Sequence, residues 1–265
     1  MQQTYLNALK PKIAAEKRIR AAWLEGSFGR GNADRYSDLD IHLLLAPDAW
    51  QAFQAEVQAW LTTLRPLVLF NLLFEGKMVN ALTVDGLRLD VWLHAGETMA
   101  IDPAKVLVID QKENSLTLDK REPTPDPAVV AQRIENLLKE FWRCISLTPA
   151  VVGRQEWIVC FVGLSVETNL LTEILINGYG IARDSGVKNL NRYLPAGMQT
   201  QLENALSMQG LSPATLVQAH FALVAIAKTQ GRLLAERHHF AYPSELENAV
   251  LAYVERELTQ LGLPK

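Results

Sequence analysis

The hydrophobic rhythm of the chain changes near its middle. In "DLDIHLLLA", Leu39, Ile41, Leu43 and Leu45 alternate with Asp38, Asp40 and His42. That is the two-residue period of a strand with one apolar and one polar face. Upstream, "AAWLEG" predicts a short buried strand that stops at Gly26, preceded by a polar-faced helix before Ala21. Pro47 and Asp48 open an amphipathic helix whose Trp50, Phe53, Val57, Trp60 and Leu61 recur at helical spacing up to about Arg65. In "LVLFNLLFEGKMVNALTVDGLRLDVWLHA" the triplets EGK and VDG separate three runs rich in β-formers, which predicts a meander or a set of mixed strands. At "KREPTPDPA" three prolines alternate with polar residues, no regular element can continue, and a domain boundary is expected.

Beyond that boundary "AVVAQRIENLLKEFWRCISL", "EWIVCFVGLSVETNLLTEILINGYG", "SPATLVQAHFALVAIAKTQGRLLAERH" and "PSELENAVLAYVERELTQLG" repeat apolar residues every three or four positions. Ser212-Pro213 and Pro243-Ser244 supply helix starts, and Gly178, Gly180, Gly210 and Gly262 supply stops. The fold class is therefore α+β, with a mixed sheet flanked by helices over residues 1–122 and a helical bundle over residues 128–265.

The chain has 265 residues, 49% of them hydrophobic, so it can bury a substantial core. Its formal charge of -3 gives no global positive field, and no Lys/Arg cluster marks a nucleic-acid surface. The N-terminal segment has scattered charges and no apolar leader, and "WIVCFVGLSV" is too short to cross a bilayer. A soluble cytoplasmic protein with no membrane partner is expected. Cys144 and Cys160 lie in helical patterns outside any zinc spacing and are read as reduced core residues.

The chemistry concentrates in "LEGSFGRGNADRYSDLDIHLLL". Gly26 after a strand lets the backbone turn sharply and approach a ligand, and Ser27 adds a hydroxyl donor at the start of a short helix, a corner suited to phosphate. Asp38 and Asp40 project from one face of the next strand and can share a divalent ion that also neutralises the phosphates.

This stretch resembles the signature of the nucleotidyltransferase superfamily that includes DNA polymerase β and the antibiotic nucleotidyltransferases: Gly-Ser, roughly ten residues, then Asp-x-Asp between apolar positions. Arg30-Gly31 after the Gly-Ser pair is similar to many small members. The family's third carboxylate is matched by Asp90 in "LRLDVWL", where Leu87, Leu89, Val91 and Leu93 take one face and Arg88, Asp90 and Trp92 the other. The resemblance covers residues 20–95 by motif and the helical half by general architecture only. It implies two Mg2+ ions held by Asp38, Asp40 and Asp90, and ATP or another NTP as substrate. Gly26 and Ser27 would bind the β- and γ-phosphates, with Arg30 against the leaving charge. The implied reaction is transfer of a nucleoside monophosphate, AMP from ATP as the best reading, to a hydroxyl of an aminoglycoside, a lincosamide or a similar small molecule. Asp90 is one candidate for general base. Glu167, inside the apolar run "FVGLSVETNLLTEIL" with Glu173, is its rival, because some antibiotic nucleotidyltransferases take the base from the helical domain.

Other residues carry less. Arg35 is read as solvent-facing, and His42, further along the Asp38–Asp40 face, as structural. His238 and His239 diverge around a helix and are read as surface residues. Lys188, Asn189 and Arg192 in "SGVKNLNRYLP" fit either a ligand contact or a helix start capped by Ser185. Trp50, Trp60, Trp92, Trp142 and Trp157 are read as core anchors. A cationic acceptor would need an acidic cleft, for which Glu75, Glu97 and Glu167 are candidates. Two alternatives stay open: transfer to a protein or RNA acceptor, and a non-catalytic nucleotide-binding module. Assembly as a homodimer is left open by the sequence.

Overall fold

The computed structural model describes residues 1–119, 125–181 and 187–263, the side chains of 187–189 excepted. It is an α+β protein that divides into two compact units, Met1–Pro123 and Thr124–Lys265.

In the first unit, α1 (Gln2–Ala15) leads into β1 (Ile19–Leu24), the one-turn helix α2 (Gly26–Gly29), β2 (Leu39–Leu45), α3 (Trp50–Thr62), and the meander β3 (Leu67–Leu73), β4 (Met78–Thr83) and β5 (Arg88–Ala95). Three further strands follow: β6 (Met99–Ile101), β7 (Leu107–Gln111) and β8 (Leu116–Leu118). The main sheet has the order β3-β4-β5-β2-β1-β7, with β2 and β5 parallel and the other neighbours antiparallel. The alternation of β2 and β5 explains the layering. Leu39, Ile41, Leu43, Leu45, Leu89, Val91 and Leu93 all face Tyr5, Leu9 and Ile13 of α1 and Phe53, Val57 and Leu61 of α3 in one core. Each such side chain contributes about 1.5–3 kcal/mol on burial. Both helices cover this single face, so the polar residues of β2 and β5 line the other. There β6 and β8 pair as a small parallel sheet, whose Ile101 and Leu116 pack on Trp23 and Leu44.

The strand expected to begin at Ala21 begins two residues earlier, at Ile19. β6, β7 and β8 have no counterpart in the sequence reading. They are short, and β7 has exposed apolar residues, Leu107 and Val108, as an edge strand does, so no periodicity announces them.

The second unit contains α4 (Pro127–Ile145), α5 (Thr148–Gly153), α6 (Trp157–Gly178), a 3-10 turn (Val187–Arg192), α7 (Met198–Ala205), α8 (Pro213–Arg237) and α9 (Ser244–Gln260). Most of the proline-rich "KREPTPDPA" boundary lies outside the described residues, but Asp126 caps α4 by accepting the Ala128 N–H at 2.9 Å. Ser212 caps α8 through the Thr215 N–H, as its position before Pro213 predicts. The helices α5 and α7 are too short to show a periodic stripe and were not expected.

The apolar run expected to be too short for a bilayer continues as α6, which is long and apolar enough to cross a membrane by length and composition. Its Cys160, Leu164, Leu171, Ile174 and Leu175 are buried with Leu138 and Trp142 of α4 and Leu216 and Leu223 of α8. A buried Glu167 sits among them, the pattern of a bundle's core helix.

Candidate functional site

The site begins where β1 leaves the sheet. Gly26 takes φ +59°, a left-handed conformation that turns the chain at once into α2 and favours glycine. The turn lays Gly26 against the Asp40 side chain so closely that a Cβ would run into the carboxylate. The Glu25 N–H donates to the Asp40 carbonyl at 3.0 Å, tying the corner to β2 at that same residue. Ser27, half-buried, follows in the turn of α2, and its carbonyl accepts the Asn32 N–H at 2.9 Å. Arg30 closes α2 with its N–H on the Gly26 carbonyl at 3.1 Å and is half-buried rather than a freely solvated side chain.

Asp40 and Asp90 are register partners on the parallel strands β2 and β5, so their side chains leave the same face of the sheet. Their backbones are one strand spacing apart, about 4.8 Å. Asn80 of β4 is the next partner in line and donates its Nδ2–H to Asp90 Oδ1 at 2.7 Å. Asn71 of β3 pairs with Asn80. A polar row therefore crosses four strands: Asn71, Asn80, Asp90, Asp40. Asp38, just ahead of β2, is largely covered and lies 3.9 Å from Arg88 Nε; Arg88 also donates to the Tyr36 carbonyl at 2.7 Å.

Among the described residues no three His, Cys, Asp or Glu side chains are gathered tightly enough to hold a metal ion as they stand. Like charges on one face repel, and each carboxylate leans on its own neighbour: Asp40 on Gly26, Asp90 on Asn80, Asp38 towards Arg88. The donor set still fits a hard divalent cation: carboxylate oxygens from adjacent strands, beside a corner kept clear of any side chain at Gly26. Drawing Asp40 and Asp90 together takes side-chain rotation, since their backbones are already paired.

One residue pair further along the same face is an aromatic row that sequence reasoning missed. Trp23 stacks on His42 and His94, His42 on His94 and Trp92, and Trp92 on Phe74, with ring centroids 5.2–6.1 Å apart. His42 Nδ1 lies 3.0 Å from His94 Nε2. Burial, with His94 beside it, pushes the His42 pKa down to about 3, and burial lowers that of His94 as well against the pull of Glu25. Glu25 accepts the Trp23 indole N–H at 3.0 Å and lies 3.7 Å from His42. The period of β5 put Asp90, Trp92 and His94 on one face in the sequence, but the neighbours of that face required the strand order.

Glu167 belongs to the helical unit and is 1% exposed. Its Oε2 is 2.6 Å from His220 Nδ1, and His220 Nε2 is 3.3 Å from Cys160 Sγ. Burial alone would lower the His220 pKa, but the bonds to Cys160 and Glu167 prevail and push it up to about 9. The Glu167 carboxylate is thus engaged by a histidine of its own bundle. Glu97 is ion-paired with Arg20 at 3.1 Å, and Glu75 is highly exposed, 3.8 Å from Lys77. Glu173 faces Arg133 at 3.4 Å. His238 bonds the Gly178 carbonyl at 2.6 Å and so caps the end of α6 rather than standing free at the surface. Ser185 and the side chains of Lys188 and Asn189 lie outside the described residues.

No protein-family model matches the sequence, and no curated protein matches it. Among solved structures, the chain is similar to an aminoglycoside 6-adenyltransferase from Bacillus subtilis, at 16% identity over 96% of each chain and a TM-score of 0.44. At that identity and score the likeness adds nothing to what the site's own geometry supports.

Proposed function

We propose that the chain is a Mg2+-dependent nucleotidyltransferase that moves AMP from ATP to a hydroxyl group of a small molecule and releases pyrophosphate. The observation that carries this reading is the pairing of Asp40 with Asp90 on adjacent parallel strands, with Asp40 seated against the side-chain-free corner at Gly26. Asp40 and Asp90 leave one face of the sheet from adjacent strands beside a glycine–serine turn, and carboxylate oxygens so arrayed suit a hard divalent cation.

In this reading Asp38, Asp40 and Asp90 hold the metal, which when bound offsets charge on the phosphates and the leaving pyrophosphate. The residues of the chain do the rest. Gly26 leaves room for the Asp40 carboxylate at the corner, and the Ser27 hydroxyl and the amide groups of the corner donate to phosphate oxygens. Arg30 faces the charge of the leaving group. Asp90 accepts the proton of the acceptor hydroxyl as its oxygen bonds the α-phosphorus and the bond to pyrophosphate breaks. Asn80, donating to one Asp90 oxygen, fixes the carboxylate so that the other oxygen is presented to the acceptor. Catalysis here is mostly positioning and electrostatic stabilisation, as is usual for transfer at phosphorus. Glu167 is not used as the base, because its carboxylate is committed to His220.

The test is pyrophosphate release from ATP and Mg2+ across a panel of hydroxylated antibiotics, with mass analysis of the product. Asp40→Asn is expected to fold normally and to lose about a thousandfold or more in rate. Undiminished release from that variant removes the reading.

A further inference from the structure

The two outer strands of the main sheet guard their edges differently. β7 is short, carries Asp110, lies between Lys105 and Lys112, and has a register shift against β1. Brevity, charge and a bulge are the usual means of keeping an edge from pairing with another chain. β3, at the other end of the order, is longer, LVLFNLL, and has a register shift only at its start. From Pro66 to Phe74 there is no charged residue, and Val68, Leu69, Leu72, Leu73 and Phe74 are 42–63% exposed. Among the described residues β4 is its one strand partner, so the outer N–H and C=O groups of β3 meet no other strand. Apolar side chains at that density along an unpaired edge mark a surface that another strand covers.

The charges that flank β3 say which strand. Arg65 stands just before it and Glu75 just after. The Glu75 side chain is 90% exposed, and its backbone is held in place by Gln54 of α3, whose amide donates to the Glu75 carbonyl at 3.2 Å. When two copies of β3 run antiparallel and centred on Phe70, Arg65 of each copy stands opposite Glu75 of the other. The run between those charges then meets its own apolar side chains, with Asn71 as its one polar residue. Pairing of β3 with β7 of another copy would instead set this run against Asp110, and it would leave edges free to grow into a filament.

We propose that β3 is the interface of a homodimer, in which the two edge strands pair antiparallel about a two-fold axis at Phe70 and one sheet runs through both copies. That axis is perpendicular to the sheet, so the polar faces carrying Asp40 and Asp90 open on the same side of the joined sheet. The seam does not rest on the nucleotidyl-transfer reading, and the failure of either leaves the other standing.

The experiment measures the mass of the full chain in solution by light scattering after size-exclusion chromatography, over a range of concentrations. The parent is expected at twice the chain mass. Leu69→Lys and Leu72→Lys, on opposite faces of the strand, are expected to elute as monomers with the circular dichroism of the parent. Glu75→Arg, too exposed to affect folding, sets like charges opposite each other twice and is expected to raise the dimer dissociation constant about tenfold. Should the leucine variants lose the parent's circular dichroism, Glu75→Arg alone decides. The control is Val162→Lys, on the exposed apolar side of α6, which is expected to leave the mass at the dimer value. A parent chain that stays monomeric at every concentration overturns the proposal. So does a dimer that survives all three substitutions at this edge, or one that Val162→Lys dissociates in their place. A mass that keeps rising with concentration overturns it too, because a two-fold seam closes at two copies.

Discussion

The two units surround a carboxylate on a covered face with different neighbours. In the helical unit Glu167 meets His220, and Glu247 receives both Arg232 at 2.9 Å and Lys228 at 3.3 Å together with the Tyr242 hydroxyl at 2.6 Å. Among the described residues of this unit, buried Glu167 and Glu247 each have a basic side chain as partner, which is how a bundle keeps carboxylates in its interior. In the sheet unit Asp90 takes its hydrogen bond from the neutral amide of Asn80, and Asp40 is aligned beside it on the next strand. The histidines differ too: the bonds to Glu167 and Cys160 push the His220 pKa up, while burial pushes those of His42 and His94 down. Charge that is settled within the fold belongs to stability.

The sharpest way to break this contrast is to remove one carboxylate from each unit. Asp90→Asn is expected to lower kcat for pyrophosphate release by about 10²–10⁴-fold with little change in Tm. Glu167→Gln is expected to do the reverse, lowering stability by about 1–3 kcal/mol and leaving kcat close to the parent value. Exchange of the two outcomes would make Glu167 the base and Asp90 a structural residue.

A smaller effect is expected from pH. His220 titrates near 6.5 in the unfolded chain and at about 9 in the folded one. A raised folded pKa means stabilisation that is fully present below pH 6.5 and lost as pH rises through 9. Thermal unfolding of the helical unit is therefore expected to lose about 2 kcal/mol over that window, and His220→Gln to abolish the slope. A Tm that does not vary with pH in the parent chain would show that His220 gains nothing from Glu167.

Much of this was legible from residues alone. The alternation from Leu39 to Leu45 and from Leu87 to Leu93 placed Asp40 and Asp90 on polar faces, and those faces turned out to be one face because β2 and β5 are parallel and in register. Helix starts such as Ser212 were legible because capping is local. What was not legible depends on pairing across the sheet. Asn71, Asn80 and the row from Trp23 to Phe74 are separated in sequence and meet only through strand order. The same holds for Glu167: its place inside an apolar helical run was plain, but its burial and its partner His220 on another helix were not.

The most direct measurement of the central claim is Mn2+ binding followed by electron paramagnetic resonance in the presence of a non-hydrolysable ATP analogue. The parent chain is expected to bind two Mn2+ ions, and Asp40→Asn to lose at least tenfold in affinity while keeping its circular dichroism. Equal Mn2+ binding by the parent chain and Asp40→Asn would contradict the assignment of this face as a metal-nucleotide site.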